Sequence, residues 1–180
     1  MEKTLQRNWY ALRVFKNRLH IVKKELEDAE YLTYQAMTMV DAFEGGTIKY
    51  KKVPLIPSLL FVKCDEKFIK NLKHERFDHL LVYGSPDGKP EPIDEKQMEV
   101  FILVTSSPGS GCRVSALSNG FEEYKKGDPV RVIDGFYKGA TGVVRRIKKD
   151  RKFLVAIEGV AVVAVSDIPF EFLEKIETEN

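Results

Sequence analysis

The sequence predicts an α+β protein with two domains, a ferredoxin-like split βαβ unit followed by a small SH3-like β-barrel. Three observations support this class. The first part of the chain shows strand-like and helix-like periodicities in the order strand, helix, strand, strand, helix, strand, with one added helix. A small, polar segment without periodicity follows it. The remaining residues form short β-rich runs separated by turn residues, which is typical of a small barrel.

The N-terminal domain is expected to begin with a strand and an amphipathic helix. Residues 8–15 alternate around aromatic and β-branched side chains, as strands do. Residues 16–30 repeat apolar side chains at helical spacing, which leaves basic side chains on the opposite face. The apolar positions are Leu19, Val22, Leu26 and Ala29.

The middle of this domain is expected to contain two strand-like pieces and then a buried strand. Residues 31–40 and 47–53 have strand composition, and Gly45 and Gly46 between them suit a hairpin or a flexible loop. Two prolines bracket a turn before residues 59–62, a short apolar run that predicts a central strand.

Two more helices and one strand complete the unit. Asp65 is placed to cap a helix over the residues that follow it, and residues 80–83 predict a strand. Asp94, with Gln97 three residues on, resembles a capping box at the start of the last helix.

Composition divides the chain into two domains and a linker. We expect an N-terminal domain over residues 1–105, a flexible linker over residues 106–122 and the barrel over residues 123–180. The glycine and serine content of the linker predicts that the two domains tumble independently. The barrel strands are expected over residues 129–133, 141–147, 153–157, 160–165 and 172–176.

The composition indicates a soluble, cytoplasmic protein. Of the 180 residues, 43% are hydrophobic and 31% are charged. The longest apolar runs are far shorter than the roughly 20 residues that span a bilayer. The N-terminus lacks the apolar region of a signal peptide. Cys64 and Cys112 are the only cysteines and have no C-x-x-C partner, which suits core packing in a reducing compartment.

Positive charge is clustered, although the formal net charge is only +2. Residues 13–24 contain five Lys and Arg residues and no acidic residue, and residues 145–152 form a second basic run. Either run could contact a polyanion such as RNA, with a solvated surface as the alternative for both.

The most specific segment is residues 127–144, GDPVRVIDGFYKGATGVV. Its alternating valines predict a strand, Gly135 and Gly139 permit a positive φ in the connecting loop, and Gly142 permits a close backbone approach. The whole pattern resembles a KOW motif, as found in NusG-type transcription factors and in several ribosomal proteins.

The first domain resembles the N-terminal domain of the NusG family. The resemblance rests on residues 8–12 (NWYAL), residues 57–62 (PSLLFV), and Gly84 followed by residues 89–95 (KPEPIDE). With the KOW motif, it covers nearly the whole chain. It implies a non-catalytic transcription elongation factor that needs no cofactor and whose N-terminal domain docks on the clamp helices of the largest RNA polymerase subunit.

The resemblance also implies an apolar, exposed polymerase-binding surface. By position in the family pattern, its candidates are Tyr10, Leu55, Ile56, Pro57, Leu59 and Phe61. Because side chains alternate along a strand, one face of residues 59–62 must be core, and core packing remains the alternative for Leu59 and Phe61.

One segment indicates a specialised paralogue. Residues 53–62 (VPLIPSLLFV) are more similar to RfaH and the UpxY group, which act on particular long operons, than to housekeeping NusG. Housekeeping members commonly have paired Phe before the second proline and Gly-Tyr after it. We therefore expect a factor that promotes processive transcription and antitermination. The alternatives are a housekeeping elongation or termination factor and a KOW-containing RNA- or ribosome-binding protein.

In RfaH-like factors, the edge between the first strand and helix contacts the non-template DNA strand, and a second segment touches the opposite wall of the polymerase cleft. Cations there can neutralise phosphates, and Asn or His can bond to base edges. The residues that match the DNA contact are Arg13, Lys16, Asn17, Arg18 and His20. The second polymerase contact matches Lys70, Asn71, Leu72 and Lys73, which depart from the hydroxyl-rich pattern of those paralogues.

The barrel is expected to carry a partner-binding loop. Phe136, Tyr137 and Lys138 lie where family members offer a surface to Rho factor or to a ribosomal small-subunit protein. The alternative is that Phe136 plugs the barrel end. Residues 160–165 are dense in β-branched side chains, which predicts a stable barrel rather than the helical hairpin that RfaH can form.

Sequence patterns of catalysis are missing. There is no G-x-x-x-x-G-K-[ST] or G-x-G-x-x-G motif, and His20, His74 and His79 lack the spacing of a metal site or a catalytic triad. We therefore expect a monomeric binding protein without enzymatic activity or bound metal. The near-neutral charge argues against a ribosomal RNA-binding protein, because such proteins are usually strongly basic.

Overall fold

The structure, a computed structural model, describes residues 6–15, 17–74, 79–106, 113–118 and 120–177. Lys16, Cys112 and residues 107–112 and 119 of the predicted linker lie outside these ranges. The chain divides into two compact units, residues 1–36 with 56–98 and residues 37–55 with 99–180. The domain limits expected from composition differ from this division, because residues 37–55 and 99–105 belong to the second unit.

Twelve strands, four α-helices and one 3-10 turn form the described part of the chain. The strands are β1 (Arg7–Val14), β2 (Leu32–Tyr34), β3 (Met37–Glu44), β4 (Thr47–Pro54), β5 (Leu59–Asp65), β6 (Leu80–Val82), β7 (Val114–Ala116), β8 (Asp128–Val132), β9 (Thr141–Ile147), β10 (Asp150–Ile157), β11 (Ala161–Val165) and β12 (Leu173–Lys175). The helices are α1 (Leu19–Asp28), α2 (Glu66–His74), α3 (Glu95–Thr105) and α4 (Gly120–Lys125), and the 3-10 turn covers Phe170–Phe172.

The first unit contains a four-stranded sheet of order β2-β5-β1-β6. All three neighbouring pairs are antiparallel, so β1 runs parallel to β2 with β5 between them, and β5 runs parallel to β6 with β1 between them. The connections β1-α1-β2 and β5-α2-β6 are therefore two interleaved split βαβ units. This topology confirms the predicted ferredoxin-like arrangement.

A hydrophobic core lies between this sheet and helices α1 and α2. Alternate residues of the two central strands point into it, and they include Tyr10 and Leu12 of β1 opposite Val62 and Leu60 of β5. Their helix partners include Val22, Leu26 and Ile69. Ala29, which the helical spacing placed on the same face, lies just past the end of α1 and is exposed.

Two helix starts agree with the sequence predictions. The Asp65 carboxylate accepts a hydrogen bond from the Phe68 backbone N–H (2.9 Å), and the Asp94 carboxylate accepts one from the Gln97 N–H (3.0 Å). Each carboxylate satisfies a backbone donor that has no partner within its helix.

Strands β3 and β4 form a long hairpin with its own two-stranded sheet. Its register runs from Met37 opposite Pro54 to Glu44 opposite Thr47. Gly45 and Gly46 form the two-residue turn with φ of 60° and 80°, the positive values that a type I′ turn requires. The single strand predicted over residues 31–40 was wrong. It is divided because β2 pairs with β5, whereas β3 pairs with β4.

The second unit contains the barrel sheet, of order β12-β8-β9-β10-β11-β7 with antiparallel neighbours. Gly142 of β9 makes the close approach that was predicted, because a Cβ at this position would collide with the Leu154 carbonyl oxygen and the Phe153 ring. The five predicted barrel strands correspond to β8–β12.

Both faces of the central barrel strands are covered. On one face, Val143, Leu154, Val162 and Ala164 form a core with the side chains of α4. On the other, Phe153, Val155 and Val163 are also buried. Burial on both faces explains why the β11 sequence is apolar at every position.

Part of the predicted flexible linker is regular structure. Val114–Ala116 forms β7 and pairs with Val163–Val165 of β11, and α4 begins at Gly120. The prediction of a structureless segment was therefore wrong for these residues, because they complete the edge of the barrel sheet. No helix in the described ranges is long and apolar enough to cross a membrane.

Candidate functional site

Three of the six predicted polymerase-binding side chains are core residues. Tyr10, Leu59 and Phe61 are only 2%, 4% and 0% exposed, so the expectation that they are exposed was wrong. Tyr10 belongs to the core between the sheet and the helices, and its burial raises the pKa of its phenol. Leu59 and Phe61 point to the opposite face of the same sheet, where Trp9 is also buried.

The other three candidates lie in the turn before β5. Leu55 is buried as well, Ile56 is half-buried and Pro57 is exposed. The turn is fixed to the end of β1, because the Val14 N–H donates to the Ser58 carbonyl oxygen (2.7 Å). Of the six candidates, Ile56 and Pro57 are the two that offer surface to a partner.

Two exposed apolar side chains that sequence reasoning missed lie at the same end of the sheet. Phe15 is 37% exposed and Leu81 is 49% exposed. Phe15 follows β1 directly and its N–H donates to the His79 carbonyl oxygen (2.7 Å), while Leu81 lies opposite Arg13 in the pairing of β1 with β6. No signal in the sequence pointed to Leu81, because Leu80, Leu81 and Val82 are all apolar and alternation along such a strand does not show which side chain is exposed.

We call Phe15, Ile56, Pro57 and Leu81 the sheet-end patch. The two hydrogen bonds described above hold its parts together, since one fixes the turn that contains Pro57 to β1 and the other fixes Phe15 to the chain before β6. The Arg13 guanidinium lies over the Phe15 ring, 5.3 Å from its centroid, so a cation borders the patch.

The residues predicted to contact DNA lie beside this patch. Arg13, Asn17, Arg18 and His20 are all exposed, and Lys16 lies outside the described residues. Asn17 has a φ of 54°, a left-handed conformation that reverses the chain before α1. The basic side chains Lys23 and Lys24, further along the helix, pair with Glu27 and Asp28. Arg13 and Arg18 have no carboxylate partner in the described part of the chain, which leaves positive charge at the start of α1.

The predicted second polymerase contact is only partly available. Leu72 packs against the core, and the Lys73 ammonium donates to the Gly88 carbonyl oxygen, so both are engaged within the unit. Lys70 is exposed but pairs with Glu66 one turn earlier. Asn71 is the exposed member without such a pairing among the described residues.

The barrel loop separates the two aromatic residues that were predicted to act together. Phe136 is 59% exposed, whereas Tyr137 is 2% exposed, so the expectation of an exposed pair was wrong for Tyr137. The loop turns tightly between Gly135 and Gly139, with φ of 78° and 91°, and this conformation points Tyr137 inward. The rings meet edge to face at 5.5 Å between centroids, and Lys138 next to them is exposed.

The Cys64 thiol is a core group. Its side chain is completely buried, and burial raises the pKa of the thiol to about 12. A thiol with so high a pKa is a poor nucleophile at neutral pH, which agrees with the predicted packing role. Among the residues that the structure describes, no three His, Cys, Asp or Glu side chains come together as a metal site.

Comparisons with known proteins give one family match. The family model described as "Transcription termination factor nusG" matches residues 7–102, which is more than half of the chain. A search of curated proteins found no match. The solved structure described as "Domain interaction in Thermotoga maritima NusG" is similar with a TM-score of 0.47 and 18% identity, over 95% of this chain and 98% of that chain.

Proposed function

Because the chain belongs to the NusG family of transcription elongation and termination factors, we propose that it is a non-catalytic, cytoplasmic factor that binds RNA polymerase and promotes antitermination on particular long operons. The antitermination role rests on residues 53–62, which resemble the RfaH and UpxY paralogues. The binding role rests on the sheet-end patch, an apolar surface bordered by Arg13 and Arg18, which have no carboxylate partner among the described residues.

The sheet-end patch is the proposed contact with the clamp helices of the largest polymerase subunit. It replaces the buried side chains of Tyr10, Leu59 and Phe61 as the contacting surface, since a rigid partner can reach only exposed atoms. Burial of even a few hundred Å² at about 25 cal/mol per Å² contributes several kcal/mol before the cost of association. Such a surface is sufficient to anchor a partner helix.

The start of α1 is the proposed contact with non-template DNA. Arg13 and Arg18 supply charge for phosphates, and Asn17 and His20 supply hydrogen-bonding groups for exposed base edges. Their position next to the sheet-end patch lets one docking event bring polymerase and DNA contacts together. Asn71 of α2 is the remaining candidate for a contact with the opposite wall of the cleft.

The barrel is the proposed site for a second protein, a ribosomal small-subunit protein or Rho factor. Phe136 is the exposed anchor, and Ile133, which directly follows β8 and is 42% exposed, adds apolar surface beside the same loop. Tyr137 supports this loop from inside the barrel.

The test is binding of the purified chain to RNA polymerase elongation complexes. We expect Leu81→Asp and Ile56→Asp to weaken binding by at least about tenfold, since each places a charge in an apolar contact. Leu32→Asp is the matched control, because Leu32 is 58% exposed on β2, at the opposite edge of the same sheet. Each variant is checked for folding by circular dichroism.

If all three variants bind polymerase equally well, the sheet-end patch is not the polymerase contact.

A second experiment, transcription through terminators on a long template, tests whether the protein promotes or reduces read-through. Longer transcripts support antitermination, whereas more termination with Rho indicates the housekeeping role. Recovery with ribosomes but not with polymerase would indicate the RNA- or ribosome-binding alternative.

A further inference from the structure

The barrel carries a basic groove that the proposed polymerase contact does not use. The groove has a volume of about 410 Å³, and its lining includes the apolar side chains of Val130, Val144 and Leu173. The lining also includes five basic side chains and one acidic one, Asp128. The basic residues are Lys126, Arg145, Arg146, Arg151 and Lys175.

Two of these cations have carboxylate partners. Arg145 pairs with Glu123 at 3.2 Å. Lys175 lies 4.0 Å from Asp128, and the side chains of Lys175 and Asp128 are both more than two-thirds exposed. Such an exposed ion pair contributes little stability, so another anion can readily replace Asp128 as the partner of Lys175. Lys126 and Arg146 have no carboxylate partner within the described residues.

The strand register places two arginines directly opposite each other in this groove. Arg146 of β9 pairs with Arg151 of β10, and both side chains line the groove. Like charges at such positions destabilise a sheet. An anion between the two guanidinium groups would remove the repulsion, so the register points to a negatively charged ligand.

An aromatic ring stands beside these charges. Phe170 is 63% exposed, and the Arg151 guanidinium lies over its ring at 4.6 Å from the centroid. Exposed aromatic rings next to cations are the combination that holds single-stranded nucleic acids, because the bases stack on the rings and the phosphates contact the cations. A free phosphate or an acidic peptide would not require the ring.

We propose that this groove binds a single-stranded nucleic acid, with phosphates between Arg146 and Arg151 and a base on Phe170. The site lies wholly in the barrel and is separate from the sheet-end patch. Its test therefore needs no polymerase, and its failure would leave the proposed function untouched.

The experiment measures binding of fluorescent single-stranded RNA and DNA oligonucleotides to the full chain over a series of salt concentrations. For Arg146→Ala/Arg151→Ala we expect affinity to fall about tenfold or more, and the slope of log K against log salt to become shallower by about 1.4, as for two lost phosphate contacts. Phe170→Ala should weaken binding and leave the salt slope unchanged, because it removes stacking and no charge.

Arg131→Ala is the matched control. Arg131 is an exposed cation of β8 that points to the other face of the barrel sheet, opposite Thr141 and Glu174. The double variant should be at least as stable to urea as the wild type, because it removes a like-charge pair. A loss of binding could then not be attributed to unfolding.

Selective loss of RNA binding or of DNA binding in the double variant identifies which of the two nucleic acids the groove binds. Unchanged affinity and salt slope in the double variant, or equal weakening by Arg131→Ala, would overturn the proposal.

Discussion

At the scale of single residues, two neighbouring aromatic side chains of the barrel loop, Phe136 and Tyr137, differ in their exposure to solvent. Tyr137 closes the barrel interior, whereas Phe136 beside it is exposed. The two positive-φ glycines on either side hold the loop in one conformation, and the Gly139 N–H donates to the Val132 carbonyl oxygen at 2.8 Å. Tyr137 is thus expected to contribute to stability, whereas Phe136 is the proposed partner contact.

Substitution of these two aromatic residues should have different effects on the free energy of unfolding. We expect Tyr137→Ala to lower the free energy of unfolding by about 3–5 kcal/mol, as for other buried aromatic side chains. Phe136→Ala should change it by no more than about 0.5 kcal/mol, because the removed ring is largely solvated. Urea unfolding monitored by circular dichroism measures both values. Similar losses for the two variants would contradict this assignment.

At the scale of secondary-structure elements, the β3-β4 hairpin differs from the other strands. Its two strands pair only with each other in the described sheets, and one face carries exposed apolar side chains. Those with the greatest exposure on that face are Phe43 (77%), Tyr50 (74%), Ile48 (62%) and Met39 (47%). A two-stranded ribbon with few buried contacts is marginally stable.

Amide hydrogen exchange should therefore rank the strands. We expect the backbone amides of β3 and β4 to exchange at least about a hundredfold faster than those of β1 and β5, because local opening of the hairpin breaks few apolar contacts. Mass spectrometry of peptic fragments resolves these segments. Equal protection in the hairpin and in the central strands would show that the hairpin is held by interactions beyond its own ladder.

The type of each secondary-structure element was largely predictable from the sequence, whereas the face of the sheet to which each side chain points was not. Periodicity located β1, β5 and α2, and short polar side chains such as Asp65 marked helix starts, because these signals are local. The orientation of Leu59 and Phe61 was not predictable, because both faces of β5 are buried and alternation then carries no information about solvent. The three residues of β7 had too weak a pattern to be seen, since their pairing with β11 is a long-range contact.

The candidate site was predictable in its region but not in its members. The family pattern led to the segment around Pro57 and to the start of α1. Phe15 and Leu81 were missed because their proximity arises from the pairing of β1 with β6, which joins segments far apart in sequence.

At the scale of the whole molecule, buried ionisable groups make stability depend on pH. Burial raises the pKa of Cys64 from 9.0 to about 12, and it also raises the pKa of Tyr10. The folded chain keeps these protons under conditions in which the unfolded chain releases them. Their contribution to stability is therefore complete below about pH 9 and is lost as the pH rises towards 12.

The free energy of unfolding should fall as the pH is raised above 9, and Cys64→Val should make that fall shallower. Val62→Ala is the control, because it weakens the same core at every pH and removes no ionisable group. Urea titrations at several pH values between 7 and 10.5 give the slopes. A Cys64→Val slope equal to that of the wild type would show that the thiol does not contribute to the pH dependence.

The interleaved sheet also governs how the chain can fold while it is being synthesised. Strand β1 is made first, but its neighbours β5 and β6 end at Asp65 and Val82. At 5–20 residues per second, β1 waits on the order of 4–15 s for its complete set of partners. The β3-β4 hairpin, whose contacts are local, can close within about 10 μs and shortens the loop between β2 and β5. Early closure of the exposed hairpin thereby lowers the entropy cost of bringing β5 beside β2 and β1.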